Sequence, residues 1–430
     1  MIIIRKLSFG LLALAAVAVT LLLWRGLRHD HDVAGSSPLP IDTTQTPLER
    51  GRYLTQLGDC MACHTVQGSA AYSGGRMITT PFGRFYSPNI TPDDDTGIGR
   101  WSADDFWGAL HEGRAKGGKL LYPVFPYTNY TRMTRDDSDA IYAYLRTIAP
   151  VKQASREHDL KWPVSWRVSL IGWRALFFEP AVFKPQADRS AAWNRGAYLV
   201  QGLAHCSACH EARNALGGVQ TRDNPAGGLV LDWYAPVLSA AVEAGVQDWP
   251  QADIVALLSV GKSARGSALG PMAEVIYESL QHGSDEDIAA MATYLQSLPV
   301  TAKPEPEAQP RVLPNDLLRA RANGASLYAK NCAQCHGDDG EGRAPAAPAL
   351  AGNRAVTMDS AVNPIRIVLF GGYTPGTAGN PRPFGMPPFS AAMSKQDVAD
   401  VLSYVRMSWG NQARAVTAVE VERLSGGPLW

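Results

Sequence analysis

The chain has 430 residues, too many for a single hydrophobic core and enough for about three domains. Forty Lys and Arg balance forty Asp and Glu, so the charge gives no reason to expect nucleic acid as a partner or electrostatic attraction to lipid. All six cysteines fall in three copies of one short motif, each followed directly by a histidine that a disulfide framework would leave unexplained.

At the amino end, Arg5 and Lys6 precede an apolar run, "LSFGLLALAAVAVTLLLW" at residues 7–24. As a helix its eighteen residues reach ~27 Å, close to the hydrocarbon thickness of a bilayer and longer than most signal-peptide cores. The best cleavage candidate beyond it, "DVA" at 32–34, has an acid where a small residue is wanted. The expectation is therefore a retained N-terminal transmembrane helix within residues 1–35, amino end in the cytoplasm, rather than a cleaved secretory signal. Arg25 and Arg28 on the far side weaken the charge argument for that orientation, and Asp30 and Asp32 partly offset them.

The rest reads as one unit written three times. The copies open on "GRYLTQLGDC" from Gly51, "GAYLVQGLAHC" from Gly196 and "GASLYAKNC" from Gly324, helical turns that run into "CMACH" at Cys60–His64, "CSACH" at Cys206–His210 and "CAQCH" at Cys332–His336. Each copy closes on a helix begun by a Ser or Thr with an Asp three residues later, "TRDD", "SDED" and "SKQD", a capping-box pattern. Ten residues after that cap stands Tyr144, Tyr294 or Tyr404, and alanines, leucines and valines between them make an apolar face. The expected boundaries are 44–152, 189–299 and 315–412, with a tail at 413–430. Residues 300–314, "VTAKPEPEAQPRVLP", form a Pro-rich linker that cannot build a core. The connector 153–188 is of another kind: Trp166, Leu170, Trp173 and Phe177 line one helical face, as packing between domains or as a surface for a partner or the membrane interface.

Residue frequencies give roughly two chances in a thousand of even one accidental C-x-x-C-H in this chain, and there are three. On a helix the two cysteines at i and i+3 and the histidine at i+4 share a face. Two thiols so placed add to the vinyl groups of a haem while the imidazole reaches the iron. Zinc would need two further Cys or His ligands near each motif, and a redox-active dithiol would need a βαβ context; the sequence offers neither. The motifs predict three covalently bound haem c groups, held by Cys60 and Cys63, Cys206 and Cys209, and Cys332 and Cys335, with His64, His210 and His336 as iron ligands. Covalent attachment of this kind takes place outside the bacterial cytoplasmic membrane, so the haem domains are expected on the periplasmic side. The fold expected is all-α: three tandem cytochrome c domains behind an N-terminal transmembrane helix.

The run from Thr79 to Leu145, "TTPFGRFYSPNITPDDDTGIGRWSADDFWGALHEGRAKGGKLLYPVFPYTNYTRMTRDDSDAIYAYL", resembles the first haem domain of the triheme cytochrome c subunits of bacterial membrane-bound alcohol, aldehyde, gluconate, sorbitol and fructose dehydrogenases. "ALGPMAEVIYESLQHGSDEDIAAMATYLQSLP" and "RIVLFGGYTPGTAGNPRPFGMPPFSAAMSKQDVADVLSYV" resemble the second and third, and the likeness covers nearly everything from Gly51 to Trp409. It implies an electron-transfer subunit that takes electrons from a catalytic dehydrogenase subunit of quinone-cofactor, flavin or molybdenum type and delivers them to ubiquinone at the cytoplasmic membrane. An uncleaved anchor leans towards the molybdenum branch. The chain carries no catalytic constellation of its own, so the substrate should not touch it.

A methionine as sixth iron ligand closes a haem to substrates and raises its potential. Met386 in "FGMPPF" and Met272 in "GPMAEV" are the candidates in the third and second domains; Met291, inside a closing helix, reads as packing. In the first domain Met133 matches the family motif, although it aligns by internal repeat with Met393, read as core; Met77 and His111 are the alternatives. Met61, inside its motif, cannot easily reach the far side of the porphyrin, and His205 reads as a solvated neighbour of the second haem. Two other functions compete: a free-standing multihaem carrier to a terminal oxidase, which would not need the dehydrogenase-type sequence, and a peroxidase-like haem enzyme, which would need an open iron with a catalytic base above it.

Overall fold

The computed structural model describes residues 16–17, 20–27, 45–219, 227–300, 314–344 and 346–426. The chain divides into two compact units: Met1–Asp188 with Tyr198–Ala208 and Arg213–Val219, and Arg189–Ala197, Cys209–Ala212 and Gln220–Trp430. Helices predominate, as expected of an all-α chain, and short antiparallel hairpins such as Met77–Thr80 with Gly83–Tyr86 and Gly228–Val230 with Trp233–Ala235 are added to them.

The N-terminal transmembrane helix expected from the sequence is not found. Among the described residues no helix is long and apolar enough to cross a membrane. Residues 7–15, 18 and 19 of the apolar run lie outside those described. The continuous helical stretch at 20–27 rises only ~12 Å at 1.5 Å per residue, and it carries Arg25. Gly26 near its end is buried, its carbonyl accepting from the buried Arg174 at 3.0 Å, while Leu21, Leu22, Leu23 and Trp24 stay exposed.

Each repeat is a crossing of its opening and closing helices, and the sequence shows why they cross where they do. A Cβ on Gly51 would lie 2.9 Å from that of Tyr144, on Gly196 2.9 Å from that of Tyr294, and on Gly324 2.7 Å from that of Tyr404. The carbonyls of Ala140, Ala290 and Asp400 come closer still. Only glycine lets the backbones approach so far, and the repeated spacing from cap to tyrosine brings one aromatic ring to each crossing.

The caps at Thr134, Ser284 and Ser394 all accept from the amide of the Asp three residues on. Only the third box is closed, with Asp397 reaching back to the Ser394 amide at 3.1 Å. In the first two repeats the residue before the crossing glycine is an arginine, and it draws the aspartate across: Arg50 pairs with Asp137, and Arg195 binds Asp287 through both oxygens at 2.7 Å. The third repeat has Asn323 there, an uncharged donor that reaches Asp397 at 3.4 Å and binds Asp400 at 2.7 Å, so Asp397 still closes its cap.

The aromatic connector is part buried and part exposed. Leu170 joins Phe85, Leu120 and Tyr122 in a buried cluster, and Trp173 donates to the Leu216 carbonyl at 3.0 Å. Trp162 and Trp166 stay 73% and 63% exposed.

Candidate haem-binding sites

In the first repeat a capped helix, Pro47–Leu57, ends at Gly58, and a left-handed Asp59 turns the chain into the short helix Cys60–His64. Nδ1 of His64 lies 2.8 Å from the carbonyl oxygen of Pro88. In the second repeat a five-residue π turn at Leu199–Leu203 absorbs the extra residue between Gly196 and Cys206, and His210 Nδ1 lies 2.7 Å from the Pro236 carbonyl. In the third, the helix Pro314–Asn331 leads to Ala333–His336, with His336 Nδ1 at 2.9 Å from the Pro348 carbonyl.

A carbonyl can only accept, so each Nδ1 carries the proton and donates it, which leaves the Nε2 lone pair for a metal. Burial lowers the pKa of all three imidazoles, holding them in the neutral form that binds iron. The carbonyl fixes each ring's tautomer and orientation. The prolines escaped the sequence reading, though "FYSP" at 85–88 and "WYAP" at 233–236 are parallel strings that could have been matched.

Two of the cysteines lack the lowered thiol pKa of a reactive dithiol. All six are free of disulfides. Burial pushes the Cys60 thiol up to about 12 and that of Cys332 up to about 11, opposite to the lowering that makes a C-x-x-C pair reactive. No group of three or more His, Cys, Asp or Glu converges to hold a metal ion among the described residues, so the two sulfurs and the ring of one motif do not form a small cation cage. Donors spread along one helix face suit a macrocycle that is gripped at its rim and ligated at its centre.

The methionines occupy different settings. Met133 is 1% exposed and directly precedes the cap Thr134; three residues earlier Tyr130 donates to the Gly58 carbonyl at 2.8 Å, which brings this segment over the entry to the first motif. Met272 lies half-buried in the first turn of the helix Pro271–Glu278, and Met386 half-buried in a two-residue strand paired with Gly372 and Tyr373. Met77 is 38% exposed on a hairpin strand, and His111 is stacked on Trp107 with Nδ1 2.9 Å from the Thr131 carbonyl. Met291 is buried within its closing helix and Met393 belongs to the third repeat's core. His205 is not a solvated neighbour. It is half-buried, its ring 5.3 Å edge-on from Tyr130, because a positive φ at His205 turns the chain just before Cys206.

The short helix Tyr127–Tyr130 also joins the first site to the entry of the second, a link that sequence reasoning missed. Asn129 donates to the Gln201 carbonyl at 3.0 Å and to the hydroxyl of Ser207, inside the second motif, at 2.7 Å. Between second and third repeats, Asn363 binds both backbone groups of Tyr234 at 2.8 and 2.9 Å, and Arg354 binds both oxygens of Asp248 at 2.7 and 2.6 Å.

Comparison with known proteins gives these sites relatives. The cytochrome c family model matches residues 48–149, 194–299 and 321–409. The chain is 40% identical to the gluconate 2-dehydrogenase cytochrome c subunit of Pantoea cypripedii, over 88% of this chain and 89% of that one. It is 37% identical to the cytochrome c subunit of the quinone alcohol dehydrogenase of Gluconobacter oxydans, over 90% and 84%. The fructose dehydrogenase cytochrome subunit of Gluconobacter japonicus is 34% identical over 91% and 85%.

Proposed function

This chain belongs to the cytochrome c family and is a sequence relative of dehydrogenase cytochrome c subunits, and from that premise we propose that it is a triheme electron-transfer subunit passing electrons from a catalytic dehydrogenase subunit to ubiquinone. The observation that carries the reading is the histidine geometry: three times over, a C-x-x-C-H imidazole gives its Nδ1 proton to a proline carbonyl. Bound haem supplies a one-electron iron couple at each site. The chain's own residues hold, orient and insulate it. Cys60 and Cys63, Cys206 and Cys209, and Cys332 and Cys335 would form the thioethers, and His64, His210 and His336, with Met133, Met272 and Met386, would supply the iron ligands. Soft thioether ligands favour the reduced iron and suit electrons moving towards a quinone.

Two packing links support a series order. Tyr130 and Asn129 tie the first site to the second motif, and Asn363 ties the third repeat to the strand that leads to Pro236, the partner of His210. The catalytic partner oxidises the substrate, an alcohol, aldehyde or sugar, which this subunit does not contact. The haem domains work on the periplasmic side of the cytoplasmic membrane, where c-type haem is attached. Deleting the chain should abolish substrate-dependent ubiquinone reduction in membranes, while the copurifying catalytic subunit still reduces an artificial acceptor. Intact ubiquinone reduction without it, or oxidation of an alcohol or aldehyde by the isolated chain, would refute the proposal.

A further inference from the structure

One buried cation stands outside the sites as described. Arg366, on the helix Val362–Phe370 of the third repeat, is 1% exposed, and its Nε and Nη2 make no hydrogen bond within the protein. The guanidinium lies 5.3 Å from the ring of Trp233 and 5.1 Å from that of Phe370. Trp233, in the second repeat, is also buried, and its Nε1 has no hydrogen-bond partner either. Three donors without a hydrogen-bond partner, from two repeats, thus lie in one neighbourhood. Nε and Nη2 form the side-on edge of a guanidinium, which offers two parallel N–H bonds to one carboxylate. The acid acting on Arg366 is Asp232, which is exposed and accepts from neither of those two atoms. A buried cation left without an anion is costly, whereas an anion bound to this edge offsets its desolvation.

The surroundings say which anion. Asn363, one turn before Arg366, clamps the backbone of Tyr234, and two residues further Pro236 accepts from His210. On the other side, the Trp233 ring lies so close to Gly270 that a Cβ there would come within 2.6 Å of it, and Met272 follows two residues later. Trp233 therefore lies between the residues that flank His210 and Met272, where the rim of a haem held by both would come. Haem carries its two carboxylates on one edge. The first repeat has Phe85 where the second has Trp233, and neither Gly108 nor Ala256, at the matching helix positions, could replace Arg366, so the arrangement belongs to the second site alone.

We propose that Arg366 of the third repeat and Trp233 of the second hold a propionate carboxylate of the second haem, the guanidinium donating through Nε and Nη2 and the indole through Nε1. Docking of the third repeat then sets the potential of its neighbour, because a cation beside the haem favours the reduced iron. This rests on the triheme reading.

The test is redox titration of the holoprotein with haem stoichiometry measured on the same samples, the second haem being marked in a parallel series by Met272→His, whose altered spectrum identifies it. Arg366→Gln should shift the second haem about tenfold towards the ferric form at fixed ambient potential, or about 59 mV for one electron. Arg366→Lys, which keeps the charge and loses the fork, should recover most of that shift. Trp233→Phe, which keeps the ring and removes one donor, should shift the same haem in the same direction by a smaller factor, and it carries the test if Arg366→Gln fails to mature. Three haems with the second potential within twofold of wild type in both Arg366→Gln and Trp233→Phe, or a shift confined to the first or third haem, overturn this inference alone. Fewer than three haems in the wild-type protein overturn the triheme reading with it.

Discussion

The first and third repeats make the same helix crossing with different chemistry at its edge. Both bring a glycine, Gly51 or Gly324, against a tyrosine of the closing helix, Tyr144 or Tyr404. The first secures the crossing with Arg50 on the buried Asp137; the third uses neutral Asn323 and leaves Asp397 to close a capping box. The crossing is thus fixed by shape, and the charge beside it is interchangeable. A fold that can change its polar fastening while its glycine stays fixed depends first on close approach.

That contrast predicts an order of damage. Gly51→Val and Gly324→Val should each be severe, costing about 3 kcal/mol or more, because the facing carbonyls belong to a helix that cannot yield locally. Haem content of the altered repeat and the thermal midpoint of the holoprotein measure this; equal tolerance to valine at both positions would show that shape is not the shared constraint. Next comes Asp137→Asn, which strands a largely buried arginine and should cost about 3 kcal/mol, against about 1 kcal/mol for Asp397→Asn, which weakens a cap. Denaturant midpoints of the two variants sharpen the comparison, and a larger loss in the third repeat would reverse it.

The smallest effect is in pH. Hydrogen bonding from the Ser394 hydroxyl holds the Asp397 carboxyl below its ordinary value of about 4. A group whose folded pKa is depressed stabilises above its unfolded pKa and loses that contribution as pH falls through the folded value. Wild-type protein should therefore lose slightly more stability than Asp397→Asn as pH falls below about 4. Parallel acid titrations of the two, with the same slope in both, would remove Asp397 from the third repeat's fastening.

Legibility followed the range of each interaction. The haem motifs and the three caps were visible because they are local strings, and the glycines and tyrosines were visible as repeated spacing. That Gly196 meets Tyr294 was not, since nothing local records a crossing almost one hundred residues wide. Pro88, Pro236 and Pro348 act through backbone oxygens, which every residue has, so side-chain chemistry did not mark them. The Asp residues of the first two boxes were read as caps alone because the arginines that draw them lie 87 and 92 positions away. At the amino end the apolar run suggested a transmembrane helix, yet no membrane-crossing helix is found among the described residues, and Gly26 packs against Arg174.

On the proposed reading, three imidazoles, each fixed by a proline carbonyl, ligate three covalently held haems. Pyridine haemochrome titration of protein matured with a full attachment system, combined with mass spectrometry of haem-bearing peptides, tests it most directly. The expected result is three haems per chain, one on each of the peptides containing Cys60 and Cys63, Cys206 and Cys209, and Cys332 and Cys335. Two or fewer, or any motif recovered with both thiols free, would contradict it.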